Sequence, residues 1–99
     1  MNLYLISQTV NYGWDTYDGA VVAAIDAESA KRIYPCEVGD TQNRRFDEND
    51  QCVFIYNDGH TEPDEPYAWC QVKDVQVRLI GHAAPDIAQG VVFVSYNAG

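Results

Sequence analysis

Apolar residues in this chain come in short runs, each bounded by glycine, proline, asparagine or aspartate. Leu3-Tyr4-Leu5-Ile6 is apolar at both parities, which predicts a strand covered on both faces. Asn11 to Gly19 is broken by Gly13, Asp15 and Asp18 and predicts a loop. Ala20-Val21-Val22-Ala23-Ala24-Ile25 predicts a second strand. Asp26 then takes the place of a helix N-cap, and Ala27, Ala30, Ile33 and Tyr34 recur at the spacing of residues that face a sheet. Glu28 precedes Arg32 by four positions, the favourable direction for a helical ion pair. Pro35 ends the helix, which is too short to hold in water without packing.

From Cys36 to Asn49 the chain turns polar and predicts a loop. Gln51 to Tyr56 predicts a strand, Asn57-Asp58-Gly59 a turn, and His60-Thr61-Glu62 a short return arm that Pro63 and Pro66 confine to an edge. Tyr67-Ala68-Trp69-Cys70 has no decisive period. Val75, Val77 and Leu79 alternate with Gln76 and Arg78, so the first set is expected inward. Gly90 to Tyr96 is apolar at both parities and is expected as a central strand. The order predicts an α+β fold: an antiparallel β-sheet of four to five strands with one short α-helix packed on one face. The 99 residues suit a single domain, 1–99.

Charge sharpens this picture. Nine of the fifteen acids fall between Glu37 and Glu65, where only Arg44 and Arg45 oppose them. These nine are Glu37, Asp40, Asp47, Glu48, Asp50, Asp58, Glu62, Asp64 and Glu65, in a chain of net charge −9. Such a field selects partners by sign and favours a basic protein surface or a cation. It disfavours direct nucleic-acid binding, for which the six scattered lysines and arginines supply no basic stripe. The longest clearly apolar run, Ala20 to Ile25, is far below the ~20 residues that span a bilayer, so no membrane partner is expected. Three cysteines, an odd number, and no secretory leader predict reduced thiols and a cytoplasmic setting.

Several stretches resemble a known family. Leu3-Tyr4-Leu5-Ile6-Ser7-Gln8, Tyr17-Asp18-Gly19-Ala20-Val21-Val22-Ala23-Ala24, Ile33-Tyr34-Pro35 and Ser95-Tyr96-Asn97-Ala98-Gly99 look like a family of short phage, prophage and bacterial proteins. The likeness covers about the first third of the chain and its last ten residues. The family often has histidine before the proline that ends the helix, where this chain has Tyr34. The resemblance implies a phage or mobile-element setting and brings no activity and no site residues. Small acidic phage proteins are often inhibitors of host machinery, anti-CRISPR proteins among them, which is an analogy of class.

The candidate partner-binding residues are Asp47, Glu48, Asp50, Asp58, Glu62, Asp64 and Glu65, with Trp14 as an apolar anchor. In an extended segment Asp58, His60, Glu62 and Asp64 share a parity, with neighbours about 6.7 Å apart. Three carboxylates in a row are comparable with the phosphates of a nucleic-acid strand and could occupy a basic groove. The competing reading is a solvated loop, which Gly59, Pro63 and Pro66 favour. Trp14, with Tyr12 and Tyr17, is either a loop anchor or a cover over the sheet. Cys36, Cys52, His60, Cys70 and His82 match no zinc spacing, and no catalytic motif is present, so no cofactor, metal or catalytic residue is expected. The expected function is that of a non-enzymatic phage-type inhibitor. It would occlude a basic nucleic-acid-binding surface of a host protein, a CRISPR effector complex being one candidate target. The alternatives are a small-molecule-binding or catalytic domain with a pocket near the Tyr12–Asp18 loop, and an accessory subunit that self-associates through an edge strand.

Overall fold

The computed structural model describes residues 1–11, 13–36 and 43–97. Strands β1 (Asn2–Ser7), β2 (Thr16–Ala24), β6 (Gln76–His82) and β7 (Gly90–Asn97) form an antiparallel sheet in the order β6-β1-β2-β7. A smaller antiparallel sheet, β3-β4-β5, is built from Arg44–Phe46, Cys52–Ile55 and Thr61–Pro63. One α-helix, α1 (Ala27–Lys31), and a 3-10 turn (Val72–Asp74) complete an α+β fold.

The expected antiparallel sheet and single packed helix are therefore present, with a second small sheet beside them. Its strand β3 lies where polar composition predicts a loop. Phe46 explains the strand, because it carries the end of β3 into the core opposite Cys52. Asp26 caps α1, its side chain accepting from Ser29 N at 2.8 Å. Ala30 and Tyr34 are buried and Ile33 packs against the core, whereas Ala27 is exposed.

One face of the four-stranded sheet meets the core. Tyr4, Ile6, Ala20, Val22 and Ala24 pack there with Ala30, Tyr34, Phe46, Cys52, Trp69, Val72 and Val75. The segment around Trp69 lacks regular structure but is tied down by three consecutive carbonyls. Tyr67 O accepts from the Tyr34 hydroxyl, Ala68 O from Tyr17 N at 2.9 Å, and Trp69 O from Asn11 Nδ2 at 3.0 Å. Backbone groups that enter a core without a ladder need partners of this kind.

Three expectations about faces and order are corrected. β1 is covered on one face: Tyr4 and Ile6 are buried while Leu3 and Leu5 are half-exposed. β7 is an edge strand, not a central one. Its double parity arises from a bulge: Val22 pairs with Val91 and Val21 with Phe93, so Val91 and Val94 both reach the core and Phe93 does not. Leu79 is 56% exposed, not inward, and lies beside the Ile80 bulge of β6.

Burial also sets the alkaline limit of the fold. Burial and the nearby Asp64 carboxylate push the Cys52 thiol up from 9.0 to about 11. Burial and Asp74 push Cys70 up to about 12. Burial likewise raises the Tyr34 hydroxyl. Each group keeps its proton in the folded chain after the unfolded chain has released it. Stability is then fully present below about pH 9 and falls as pH rises towards 12. The urea midpoint is expected to drop steadily between pH 8.5 and pH 11, and a flat profile would contradict the burial of both thiols.

Candidate functional site

The small sheet, its two turns and the residues just past β5 hold the acidic candidates Asp47, Glu48, Asp50, Asp58, Glu62, Asp64 and Glu65. Turn 47–51 joins β3 to β4, and turn 56–60 joins β4 to β5. Glu37 and Asp40 lie outside the described residues.

The β4–β5 hairpin is organised by local chemistry. Gly59 adopts φ +90° and donates to Tyr56 O at 2.9 Å, which closes the turn that Asn57-Asp58-Gly59 predicts. Asp58 accepts from the backbone N–H of His60 at 3.0 Å and also contacts the His60 ring. These contacts hold its carboxyl below the usual range. The His60 ring stacks on Tyr56 at 4.4 Å with an interplanar angle of 3°, and Phe54 meets Tyr56 edge-on at 4.8 Å. The Tyr56 hydroxyl donates to Glu62 Oε2 at 2.8 Å, which raises its own pKa. Glu62 Oε1 lies 4.0 Å from His60 Nε2. Phe54, Tyr56 and His60 thus form an aromatic ladder edged by Asp58 and Glu62.

The row of three carboxylates expected on one extended face does not form. Asp58 sits in the turn, and β5 extends only over Thr61–Pro63. Two of the seven acids are matched by the protein's own arginines. Arg32 holds Asp50 in a two-pronged bond, Nε to Oδ1 at 2.7 Å and Nη2 to Oδ2 at 3.0 Å, and also reaches Glu28. The bond to Arg32 depresses the Asp50 pKa. Arg44 donates to Asp64 at 3.0 Å and lies over the Phe54 and Tyr67 rings at 5.1 and 5.2 Å. Asp47 caps its own turn, accepting from Asn49 N and Gln51 N. Among the described residues no lysine or arginine pairs with Glu48, Asp58, Glu62 or Glu65.

Trp14 stands on the other sheet, in the β1–β2 loop, and is 75% exposed, which rejects the cover reading. Its loop is well anchored. The buried Gln8 amide donates to Tyr17 O and Asn11 O and accepts from Val10 N and Asn11 N, so all four of its capacities that matter here are used inward. Thr16 Oγ1 and Asn97 Nδ2 both donate to Gly13 O. Tyr12 lies outside the described residues.

Beside Asp18 the uncovered face of the four-stranded sheet has an open depression of about 380 Å³, walled by Leu5, Val21 and Phe93 with Ser7 and Ser95. Its walls are apolar and bring no set of convergent polar groups of the kind that orients a small ligand. Among the described residues no three His, Cys, Asp or Glu side chains are placed to hold a metal, and no helix is long and apolar enough to cross a membrane.

The hairpin's aromatic ladder is only partly legible in the sequence. Asp58, His60 and Glu62 share a parity in the sequence, but Arg44 joins them only through the cross-strand row Arg44–Phe54–Glu62. No protein-family model matches the chain, and neither a curated protein nor a solved structure matches it.

Proposed function

We propose that the protein is a non-enzymatic interaction protein whose β4–β5 hairpin docks on a basic, nucleic-acid-binding surface of a host protein and blocks it. The observation that supports this reading is the pair of carboxylates beside the ladder, Asp58 and Glu62, which no lysine or arginine of the described residues pairs with, while Glu48 and Glu65, likewise unpaired, lie at the opposite end of the small sheet. The anionic groups raise the encounter rate with a cationic surface. The half-exposed Tyr56 supplies apolar area of the kind that anchors interfaces. Asp50 and Asp64, already matched by arginines, contribute less than their charge suggests. A phage setting, which the family resemblance implies, and a CRISPR effector complex as target, which rests on the analogy with small acidic phage inhibitors, form part of the same proposal, as does a cytoplasmic location.

The test uses bacterial lysate to capture a partner, then measures displacement of a labelled DNA or RNA duplex from that purified partner. Asp58→Asn, Glu62→Gln and Glu65→Gln together are expected to weaken displacement at least tenfold, or about 1.4 kcal/mol, and to flatten its salt dependence. Asp50→Asn serves as the control and is expected to leave displacement unchanged. Equal displacement by the triple variant rejects the hairpin as the docking surface. A partner with no affinity for nucleic acid rejects the occlusion mechanism.

A further inference from the structure

Three of the chain's six lysines and arginines meet at one place. An open cavity of about 480 Å³ lies between the end of α1, turn 47–51 and the 3-10 turn, lined by Lys31, Arg32, Asp50, Gln71, Val72 and Lys73. Arg32 is fixed in it by the protein itself. Asp50, at a left-handed φ of +61° that aspartate tolerates, holds its Nε and Nη2, while the backbone carbonyl and the carboxylate of Glu28 hold Nη1. That leaves one N–H, on Nη2, of the guanidinium's five. Lys31 and Lys73 form no ion pair with any acid of the described residues, and the Gln71 side chain does not cap its own 3-10 turn. The acids nearby are otherwise engaged or turned elsewhere. Asp50 is the one carboxylate in the lining, and Arg32 takes both its oxygens, with the field of Lys31 added. Asp47 caps its own turn, Asp74 acts on Cys70, and Glu48 is exposed outside the lining. Three cations against one carboxylate leave the wall at +2, in a chain of −9.

We infer that this cavity binds a small phosphate ligand, free phosphate or a phosphomonoester, between Lys31 and Lys73 with Arg32 at its back. A phosphomonoester carries about −1.5 to −2 at neutral pH and offers three strong acceptor oxygens. That charge matches the wall. The acceptors match two ammonium groups and the remaining Arg32 N–H, with the Gln71 amide beside them. A carboxylate would meet only half of the positive charge, and an apolar ligand none of it. Arg32 is held in place, so little order is lost when it meets the anion. The volume lies in the range of small-ligand sites, about 300 to 1,000 Å³, and leaves room for the group that the phosphate carries, with Val72 as its apolar wall. The negative charge of the whole chain opposes the approach of an anion, which places the affinity in the micromolar to millimolar range. The inference stands apart from the hairpin proposal, since none of the hairpin's residues lines the cavity.

Titration of the isotope-labelled full chain with inorganic phosphate and with a nucleoside 5′-monophosphate, followed by NMR in low salt, tests it. The amides of Lys31, Arg32, Gln71 and Lys73 are expected to shift and saturate. Tighter binding of the nucleotide assigns the site to a phosphomonoester, and equal binding of the two assigns it to free phosphate. Lys31→Gln with Lys73→Gln is expected to weaken binding by about tenfold or more, with an unchanged far-UV circular dichroism spectrum. Arg45→Gln with Arg78→Gln removes the same charge from exposed positions outside the cavity and is expected to leave the affinity within about twofold. The shift map of the unaltered chain is a readout that needs no variant. Failure of both probes to saturate overturns the inference, as do shifts centred elsewhere. An equal loss in the two double variants also overturns it, by reducing the binding to overall charge.

Discussion

Trp69→Ala is expected to lower the melting temperature by roughly 12 to 40 °C, the largest stability loss among the substitutions considered. Trp69 is 1% exposed and is among the largest fully buried side chains of the fold. Truncating a buried tryptophan costs about 3 to 5 kcal/mol, through lost transfer energy and the cavity left behind. A domain of this length has only about 5 to 15 kcal/mol to lose, and each kcal/mol moves its melting point by about 4 to 8 °C. The location of Trp69 magnifies the effect. Its segment receives hydrogen bonds from Tyr34, Tyr17 and Asn11, so the ring and the tie of three separate parts of the chain fail together. Trp69→Phe separates these contributions. It keeps an aromatic ring in place and removes an indole N–H that has no hydrogen-bond partner among the described residues. An unmet buried donor costs about 1 to 3 kcal/mol, which offsets much of the lost volume. The phenylalanine variant should therefore melt far closer to wild type than the alanine variant. Thermal denaturation of the three proteins is the check, and an alanine variant within a few degrees of wild type would refute Trp69 as the centre of the core.

What the sequence disclosed and what it concealed divide along the range of the interactions. Asp26 as N-cap and Asn57-Asp58-Gly59 as turn depend on atoms within four residues, and both are found. The strand runs were legible for the same reason, since alternation and turn residues are local. Covering and order were not. β7 reads as buried because Val91, Phe93 and Val94 are all apolar, but the bulge at Val92 lets two of them face inward on a strand that has one neighbour. An apolar run signals burial on both faces only when both are covered, and a bulged edge strand carries the same pattern. Trp69 gave no period because nothing periodic holds it; its partners lie between 33 and 58 residues away along the chain for the side-chain bonds to Tyr67 O and Trp69 O. The acidic site was half legible. Charge density located the small sheet, but Arg32 meets Asp50 across 18 residues and Arg44 meets Asp64 across 20, and neither pairing is encoded by spacing. Counting acids therefore overstates the unpaired charge, which among the described residues narrows to the carboxylates left without an arginine.

Gly19→Ala is expected to destabilise by about 1 to 3 kcal/mol, and Gly19→Val by more, although neither adds a polar or strained group. The cause is distance. A Cβ built at Gly19 would lie 2.8 Å from the carbonyl oxygen of Ile6 and 3.6 Å from Ser7 Cβ. The obstacle at 2.8 Å is backbone, so it cannot rotate away, and β1 would have to shift against β2. Gly19 stands just past the extra residue Asp18, where the ladder resumes opposite Ser7 and Ser95. The close approach lies at the last pair of the regular β1–β2 ladder, where β2 begins to bulge against β7, and Ile6 beside it is fully buried. A glycine-to-alanine change ordinarily gains about 0.4 to 1 kcal/mol by reducing the freedom of the unfolded chain. That gain is smaller than the clash, so the net sign is negative. Gly81 supplies the comparison within the same sheet: a Cβ there meets nothing within 4 Å, and Gly81→Ala should be neutral or slightly stabilising. Urea denaturation of the two alanine variants gives opposite signs if the close contact governs. Equal midpoints would show that β1 yields at Ile6, and with it that the central strand pair is looser than its burial implies.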